Sequence, residues 1–281
     1  MTKEPPSRKP TPPRHGVARM ISKLGVASRT QAARWVRERR VRVNGRVVCD
    51  AEFPVRRGLD RIEIDGEEPA AAARLVLMLN KPRGLVTTAS DEQGRDTVYR
   101  CLQDAALPWL APIGRLDKAS EGLLLFSNDP VWAAAITDPE TGPEKTYHVQ
   151  VAGLPDASVL AALARGVVLG AERLTVESVR RLRTADKNTW LEIVLAEGRN
   201  RQIRRLLEAF DLRVLRLIRV ALGALPLGDL PKGRWRMLTE QEIESLSPKL
   251  RSRSARCSAQ SQTGGSRTSD KPRSENKTRR P

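Results

Sequence analysis

Ile113-Gly114-Arg115-Leu116-Asp117-Lys118-Ala119-Ser120-Glu121-Gly122-Leu123-Leu124-Leu125-Phe126 decides how this chain is to be read. Leu123 to Phe126 is an unbroken apolar run of strand length, the pattern of a strand buried on both faces. Ahead of it, Gly114 and Gly122 bracket a polar segment in which one carboxylate, Asp117, sits two residues from a cation, Arg115. A buried strand holds a tight loop still, and a still loop can present one acid to a substrate. Taken alone, Asp117 is more often a loop acid bonding nearby backbone amides than a catalyst.

Working outward, short strands and helices mix without a regular strand–helix–strand repeat. Leu75 to Leu79 reads as a strand ended by the turn Asn80-Lys81-Pro82-Arg83-Gly84, and Thr97 to Leu102 as a short helix. After the buried strand, Asn128-Asp129-Pro130 gives a cap with proline at the first helical position, and Val131 to Ile136 is the helix. Lys145 to Val151 alternates, placing Tyr147, Val149 and Val151 on one face. Asp156 caps a helix through Ala164, and Trp190 to Leu195 is a strand. Gly198-Arg199-Asn200 turns into a helix from Arg201 to Phe210 carrying Arg201, Arg204 and Arg205 at i, i+3 and i+4. Val214 to Arg219 is expected as the final strand. The fold class is therefore α+β, with residues 70–246 forming one domain on a mixed sheet.

A smaller unit precedes it, over residues 16–69. Ser28-Arg29-Thr30-Gln31 has capping-box spacing, with Ser28 as N-cap and Gln31 reaching back, and the helix that follows runs to about Arg40. Val41-Arg42-Val43-Asn44-Gly45-Arg46-Val47 predicts a two-residue hairpin, and Asp60 to Asp65 a further strand. Between Arg19 and Arg46 there are nine basic residues and one acid, Glu38. Lys23, Arg29, Arg34, Arg37 and Arg42 are candidate phosphate contacts. Glu67 to Ala73 is small-residued and aperiodic, and reads as a linker that lets the first unit dock by itself.

Charge points to the partner. The chain of 281 residues carries a net charge of +17, of which residues 1–15 hold +3 and residues 247–281 hold +8, leaving +6 between them. Both ends are poor in apolar residues and read as disordered basic arms. This balance favours nucleic acid over other polyanions. No apolar stretch has the length of a membrane span and no secretory pattern opens the chain, so a cytoplasmic protein is expected. Three widely spaced cysteines argue against a disulfide framework, and with two histidines a metal site is not expected.

The chemistry on offer is narrow. There is no phosphate-binding glycine loop and no nucleophile–histidine–acid set. What remains is Asp117, the arginines and a strand tyrosine. A carboxylate can act on an electrophilic sugar carbon, but glycoside hydrolysis needs a second one, and Glu121 is the nearest in sequence.

Two resemblances sharpen this. Arg19-Met20-Ile21-Ser22-Lys23-Leu24-Gly25-Val26-Ala27-Ser28-Arg29 with Val41-Arg42-Val43-Asn44-Gly45 resembles the S-four-type RNA-binding domain, which implies recognition of structured RNA. Gly114 to Leu124 resembles the central motif of pseudouridine synthases. Leu79-Asn80-Lys81-Pro82-Arg83-Gly84, Lys145-Thr146-Tyr147, Glu197 to Arg205 and Gly233-Arg234-Trp235-Arg236 agree, in order, with the branch that modifies ribosomal RNA. The resemblance implies that Asp117 is the catalytic aspartate and that Arg115 fills the space of a flipped-out nucleotide. It implies that Tyr147 stacks on the base and that Arg204 pairs with Asp117; Arg201 and Arg205 read as phosphate contacts. The reaction it implies breaks uracil N1 from ribose C1′ and rejoins the base through C5, with no cofactor. Attack at C1′ and removal of a ribose proton both remain open. The implied partner is ribosomal RNA or a pre-ribosomal particle, and the charge suggests a salt-sensitive monomer on RNA. Asp138 to Glu144 and Arg216 to Gly223 look more like a large-subunit synthase without the front domain, which leans the target toward the large subunit. The alternatives are a non-catalytic ribosome-assembly factor on the same scaffold and a glycosidase or nuclease acting on RNA.

Overall fold

The structure, a computed structural model, describes residues 13–70, 73–89 and 91–246. Most of both basic arms, and Cys257, lie outside them.

In the front unit, β1 (Arg14–Gly16) leads into α1 (Val17–Lys23) and α2 (Arg29–Arg37), followed by β2 (Val41–Val43), β3 (Arg46–Val47), β4 (Pro54–Arg56) and β5 (Ile62–Ile64). Ser28 Oγ accepts from the Gln31 amide, so the expected N-cap is present, but no return bond from the Gln31 side chain completes the expected box among the described residues. The helix stops at Arg37, short of the expected Arg40, because Arg39 adopts a left-handed φ of 59°. The Arg40 amide then reaches back to the Trp35 carbonyl at 3.0 Å, a Schellman-type end. Asn44 and Gly45, at φ 50° and 78°, make the two-residue turn that pairs Val43 with Arg46. Val17, Met20, Ile21, Val36, Val41 and Val55 form a separate small core.

Past the connection, β6 (Val76–Lys81) precedes a 3-10 turn, Val98–Leu102, then β7 (Ala111–Ile113), β8 (Glu121–Ser127) and α3 (Pro130–Thr137). Next come β9 (Lys145–Ala152), α4 (Ala157–Arg165), and a hairpin of β10 (Val167–Leu169) and β11 (Glu172–Leu174). The chain continues through β12 (Ser178–Ala185), β13 (Asn188–Leu195), α5 (Gln202–Glu208), β14 (Val214–Leu222), β15 (Leu225–Pro226), β16 (Trp235–Met237) and α6 (Glu240–Ser245). The main sheet is ordered β12-β13-β9-β14-β8-β6-β16, with β7 on β8 and β15 on β14. It is mixed, as expected: β14 runs parallel to β8, and its other pairings are antiparallel.

Two apolar layers sandwich β6 and β8. Leu77, Leu79, Leu124 and Phe126 face a core shared with Tyr147, Val149, Leu191, Ile203 and Leu206. Val76, Met78, Leu123 and Leu125 face the other, with Trp132, Ile136 and Ile243. This two-sided burial explains the unbroken apolar run after Asp117.

Several expectations are corrected. Asn80 and Lys81 stay in β6, opposite Leu123 and Gly122, and do not turn; Asn80 is held by the Arg234 and Leu230 carbonyls on the facing segment. Val214 opens a strand that runs on to Leu222, and β16 follows it against β6, so it is not the last. β12 went unrecognised because Arg180, Arg181 and Arg183 mask its apolar period. Within the segment read as a linker, Glu67 bridges to Ile64, Glu68 pairs with Arg61 at 3.1 Å, and Ala73 O accepts from Asn128. The front unit touches its neighbour, since a Cβ on Gly25 would stand 3.0 Å from the Asn128 carbonyl.

Candidate active site

Asp117 lies in the loop between β7 and β8, and three tethers from the last residue of β6 and the segment after it hold that loop. Lys81 is fully buried and its ammonium donates to the carbonyls of Pro82 (3.1 Å), Asp117 (3.2 Å) and Ser120 (2.9 Å). The Gly84 amide donates to Lys118 O, and Thr87 Oγ1 both donates to Leu116 O and accepts from its amide. Burial pushes the Lys81 pKa down to about 8, although Asp117, Cys101 and Glu121 act in the opposite sense. Neither Lys81 nor Thr87 was singled out from sequence; a lysine inside a turn motif carried no sign that it would point inward.

The Asp117 carboxylate opens onto a cleft of about 580 Å³. Tyr147 stands in its wall, 8% exposed, beside the apolar side chains of Ile136, Leu195, Leu217 and Leu222. Arg115 is exposed at the rim, where this cleft meets a second one lined by Thr87, Thr88 and Asn200. Two arginines share the carboxylate: Arg201 Nη1 lies 3.9 Å and Arg204 Nε 4.0 Å from Asp117 Oδ2. Of the two, Arg204 is the more buried; its Nε has no hydrogen-bond partner, and its Nη2 donates to Ala119 O at 3.3 Å. Burial lowers the Arg204 pKa, helped by Arg201 and Arg83 and opposed by Asp117; an arginine keeps its charge regardless.

Arg201 precedes α5 and does not belong to it. It takes a left-handed φ of 48° as N-cap, so the helix is shorter at both ends than expected. Arg201 and Arg204 nonetheless converge on one oxygen of Asp117. Arg205, expected on a phosphate, points away and pairs with Glu172 at 2.6 Å. Arg199 joins the same Glu172 at 3.1 Å and Glu197 at 2.8 Å. Arg205 and Arg199 hold the Glu172 pKa below the carboxylate norm. Buried Gln202 completes the mesh, donating to Thr175 O and accepting from the Arg199 amide.

Glu121 does not share the cleft. It is buried at the start of β8, clamped by Arg216 at 3.1 Å and Lys232 at 2.5 Å. Glu197 does line the cleft but is turned to Arg199 and Gln202. Asp117 is thus the cleft carboxylate that faces cations at the edge of ion-pair distance, available to a substrate.

The remaining candidates lie on the front unit. Arg29 pairs with Glu52 (3.3 Å), Arg34 with Glu38 (2.7 Å), and Lys23 contacts His15. Arg37 and Arg42 are exposed with no carboxylate within ion-pair distance among the described residues.

The order of these parts is matched by known proteins. Residues 75–209 match the model of the RNA pseudouridylate synthase family and residues 17–60 that of the S4 domain. A Bacillus subtilis protein named ribosomal large subunit pseudouridine synthase B is 36% identical over 231 residues, covering 81% of this chain and 93% of the relative. The chain belongs to the RNA pseudouridylate synthase family. An Aquifex aeolicus protein named uncharacterized RNA pseudouridine synthase is 35% identical, covering 82% of this synthase and 92% of the relative. Ribosomal large subunit pseudouridine synthase E of Xanthomonas campestris is 40% identical but matches only 58% of this synthase while covering 95% of its own length. A crystal structure of a pseudouridylate synthase superposes with a TM-score of 0.58 at 29% identity, over 83% of this chain and 99% of that one. No described helix is long and apolar enough to cross a membrane.

Proposed function

We propose that this synthase isomerises one uridine of ribosomal RNA to pseudouridine, with Asp117 as the catalytic acid group. The observation that carries the reading is the cleft carboxylate held between Arg201 and Arg204 on a loop that Lys81 immobilises. A target in the large subunit is favoured by the names of the B- and E-type relatives. Residues 16–69 act as the RNA-binding unit, residues 70–246 as the catalytic domain, and the protein works as a cytoplasmic monomer on rRNA or pre-ribosomal particles.

In a helix the C1′–N1 bond is shielded by stacking, so the nucleotide must leave the stack. Arg115, exposed at the mouth of the cleft, takes the space it vacates. Tyr147 offers its ring to the extruded base. Asp117 acts on the ribose, at C1′ or at a neighbouring proton, and Arg204 and Arg201 hold its charge in place. Either route leaves the bonding electrons on uracil, which turns and rejoins through C5. Hydrolysis by paired carboxylates is disfavoured, because Glu121 and Glu197 are both committed to cations.

Asp117→Asn is expected to bind rRNA within about two-fold of wild type and to form no pseudouridine. Comparing pseudouridine maps of rRNA from cells with wild type, Asp117→Asn and no protein tests the reaction and names the uridine. Normal modification by the variant would refute the role of Asp117; free uracil or cut strands would point to a glycosidase or nuclease. Binding without modification by wild type would favour an assembly factor.

A further inference from the structure

Arg219 is buried in the wall of the Asp117 cleft, 7% exposed, and none of the roles above uses it. Its Nε donates to the Leu123 carbonyl at 2.7 Å. Its two terminal nitrogens have no protein partner, and it makes no ion pair with a carboxylate, among the described residues. The terminal nitrogens keep contact with the cleft, and a mostly buried cation with no carboxylate paired to it invites a negative charge from a ligand. A second orphan lies close by in the chain pairing: Ser120 Oγ is buried in the same wall with no hydrogen-bond partner.

The backbone brings Arg219 to this place deliberately. β14 sets it opposite Tyr147 on β9 and opposite Gly122 on β8. Gly122 has a φ of 102°, and a Cβ there would stand 2.3 Å from the Arg219 carbonyl oxygen. Glycine is therefore required for the two strands to approach so closely. The same cleft wall carries Tyr147, Leu195, Leu217 and Leu222, flat or apolar groups that suit a planar base, while Arg201 and Arg204 stand at Asp117.

We propose that Arg219 is a further catalytic residue, donating from its guanidinium to a carbonyl oxygen of the extruded uracil and stabilising the uracil anion released when C1′–N1 breaks. The electron pair of that bond passes to the base and spreads over N1 and the carbonyl oxygens. C1′ is meanwhile satisfied by a bond to the Asp117 carboxylate or by loss of a ribose proton. After the base turns, C5 bonds to C1′ as the Asp117 ester bond breaks or as the abstracted proton returns from Asp117 to the ribose; the C5 proton leaves and N1 gains one, so the product is an isomer. A donor aimed at charge that develops only during bond breaking acts on rate and not on affinity.

The inference rests on the isomerase reading, and wild-type protein on an rRNA transcript is the control for that reading. Arg219→Met and Arg219→Lys are compared with wild type in single-turnover reactions at saturating RNA. The target nucleoside is uridine or 5-fluorouridine, read as loss of the N-linked nucleoside. Fluorine stabilises the departing anion by itself and so lessens the need for a cation. Arg219→Met should bind RNA within about two-fold of wild type, lose about 100-fold in rate on uridine, and lose at least several-fold less on 5-fluorouridine. Arg219→Lys should fall between, with the same narrowing, and carries the test if the methionine variant does not fold. An unchanged rate on uridine, an equal loss on both nucleosides, or a loss confined to affinity would overturn the proposal. An inactive wild type would instead refute the isomerase reading.

Discussion

At the scale of single residues, Lys81 sets a limit on the conditions under which the site works. As an ammonium it has three N–H groups for three carbonyls, those of Pro82, Asp117 and Ser120. Above its depressed pKa of about 8 it has two, and one carbonyl that shapes the Asp117 loop goes unmet. The single-turnover rate is therefore expected to fall above about pH 8. Stability should move the other way. The folded protein releases this proton near 8 and the unfolded chain near 10.5, so between those values the unfolded state binds more protons and Lys81 destabilises the fold less as pH rises. Lys81→Met should slow the reaction about ten-fold or more, since a buried carbonyl left without a donor costs roughly 1–3 kcal/mol. It should also remove both trends. Rates and denaturant midpoints of wild type minus variant from pH 7 to 10 check this, and a wild-type rate flat to pH 9.5 would contradict it.

At the scale of elements, the β10–β11 hairpin sorts the arginines around α5. Glu172 holds Arg199 and Arg205 on one side, leaving Arg201 and Arg204 to Asp117. Glu172→Gln should free both cations for phosphate, tighten non-specific RNA binding at low salt and steepen its salt dependence by roughly 0.7 per new contact. Equal salt slopes for variant and wild type in filter binding would show that the pairing is incidental. This element also marks the edge of what was legible in advance. Alternation exposed β9 and β13, a continuous apolar run exposed β8, and cap residues exposed α3 and α4, because each of those signals is local. Asp117, Tyr147 and Arg204 were found together through ordered motifs. The inward course of Lys81, the left-handed cap at Arg201 and the pairing of Arg205 with Glu172 depend on partners 33 to 39 residues away or on one backbone angle, and nothing local announces them. The arginine-rich β12 was missed for the opposite reason, since its local composition argues against a strand.

At the scale of the whole molecule, the net charge of +17 is spread unevenly, with +8 on residues 247–281. Removing that segment should weaken RNA binding at low salt and flatten its salt slope, while leaving the rate at saturating RNA unchanged. Binding isotherms over a salt series decide it; a fall in the saturated rate would assign the segment a part in turnover. The parallel pairing of β14 with β8 has a consequence of another kind. It joins Ile218 to Glu121 and Arg219 to Gly122, across 97 residues of chain. Contacts of such long sequence separation form late in folding, since the closure entropy is spent before they repay it. The cleft that Asp117 serves is therefore completed only after nearly the whole catalytic domain has left the ribosome. The nascent chain carries its aspartate through most of synthesis without a working site around it, and activity becomes a readout of finished topology.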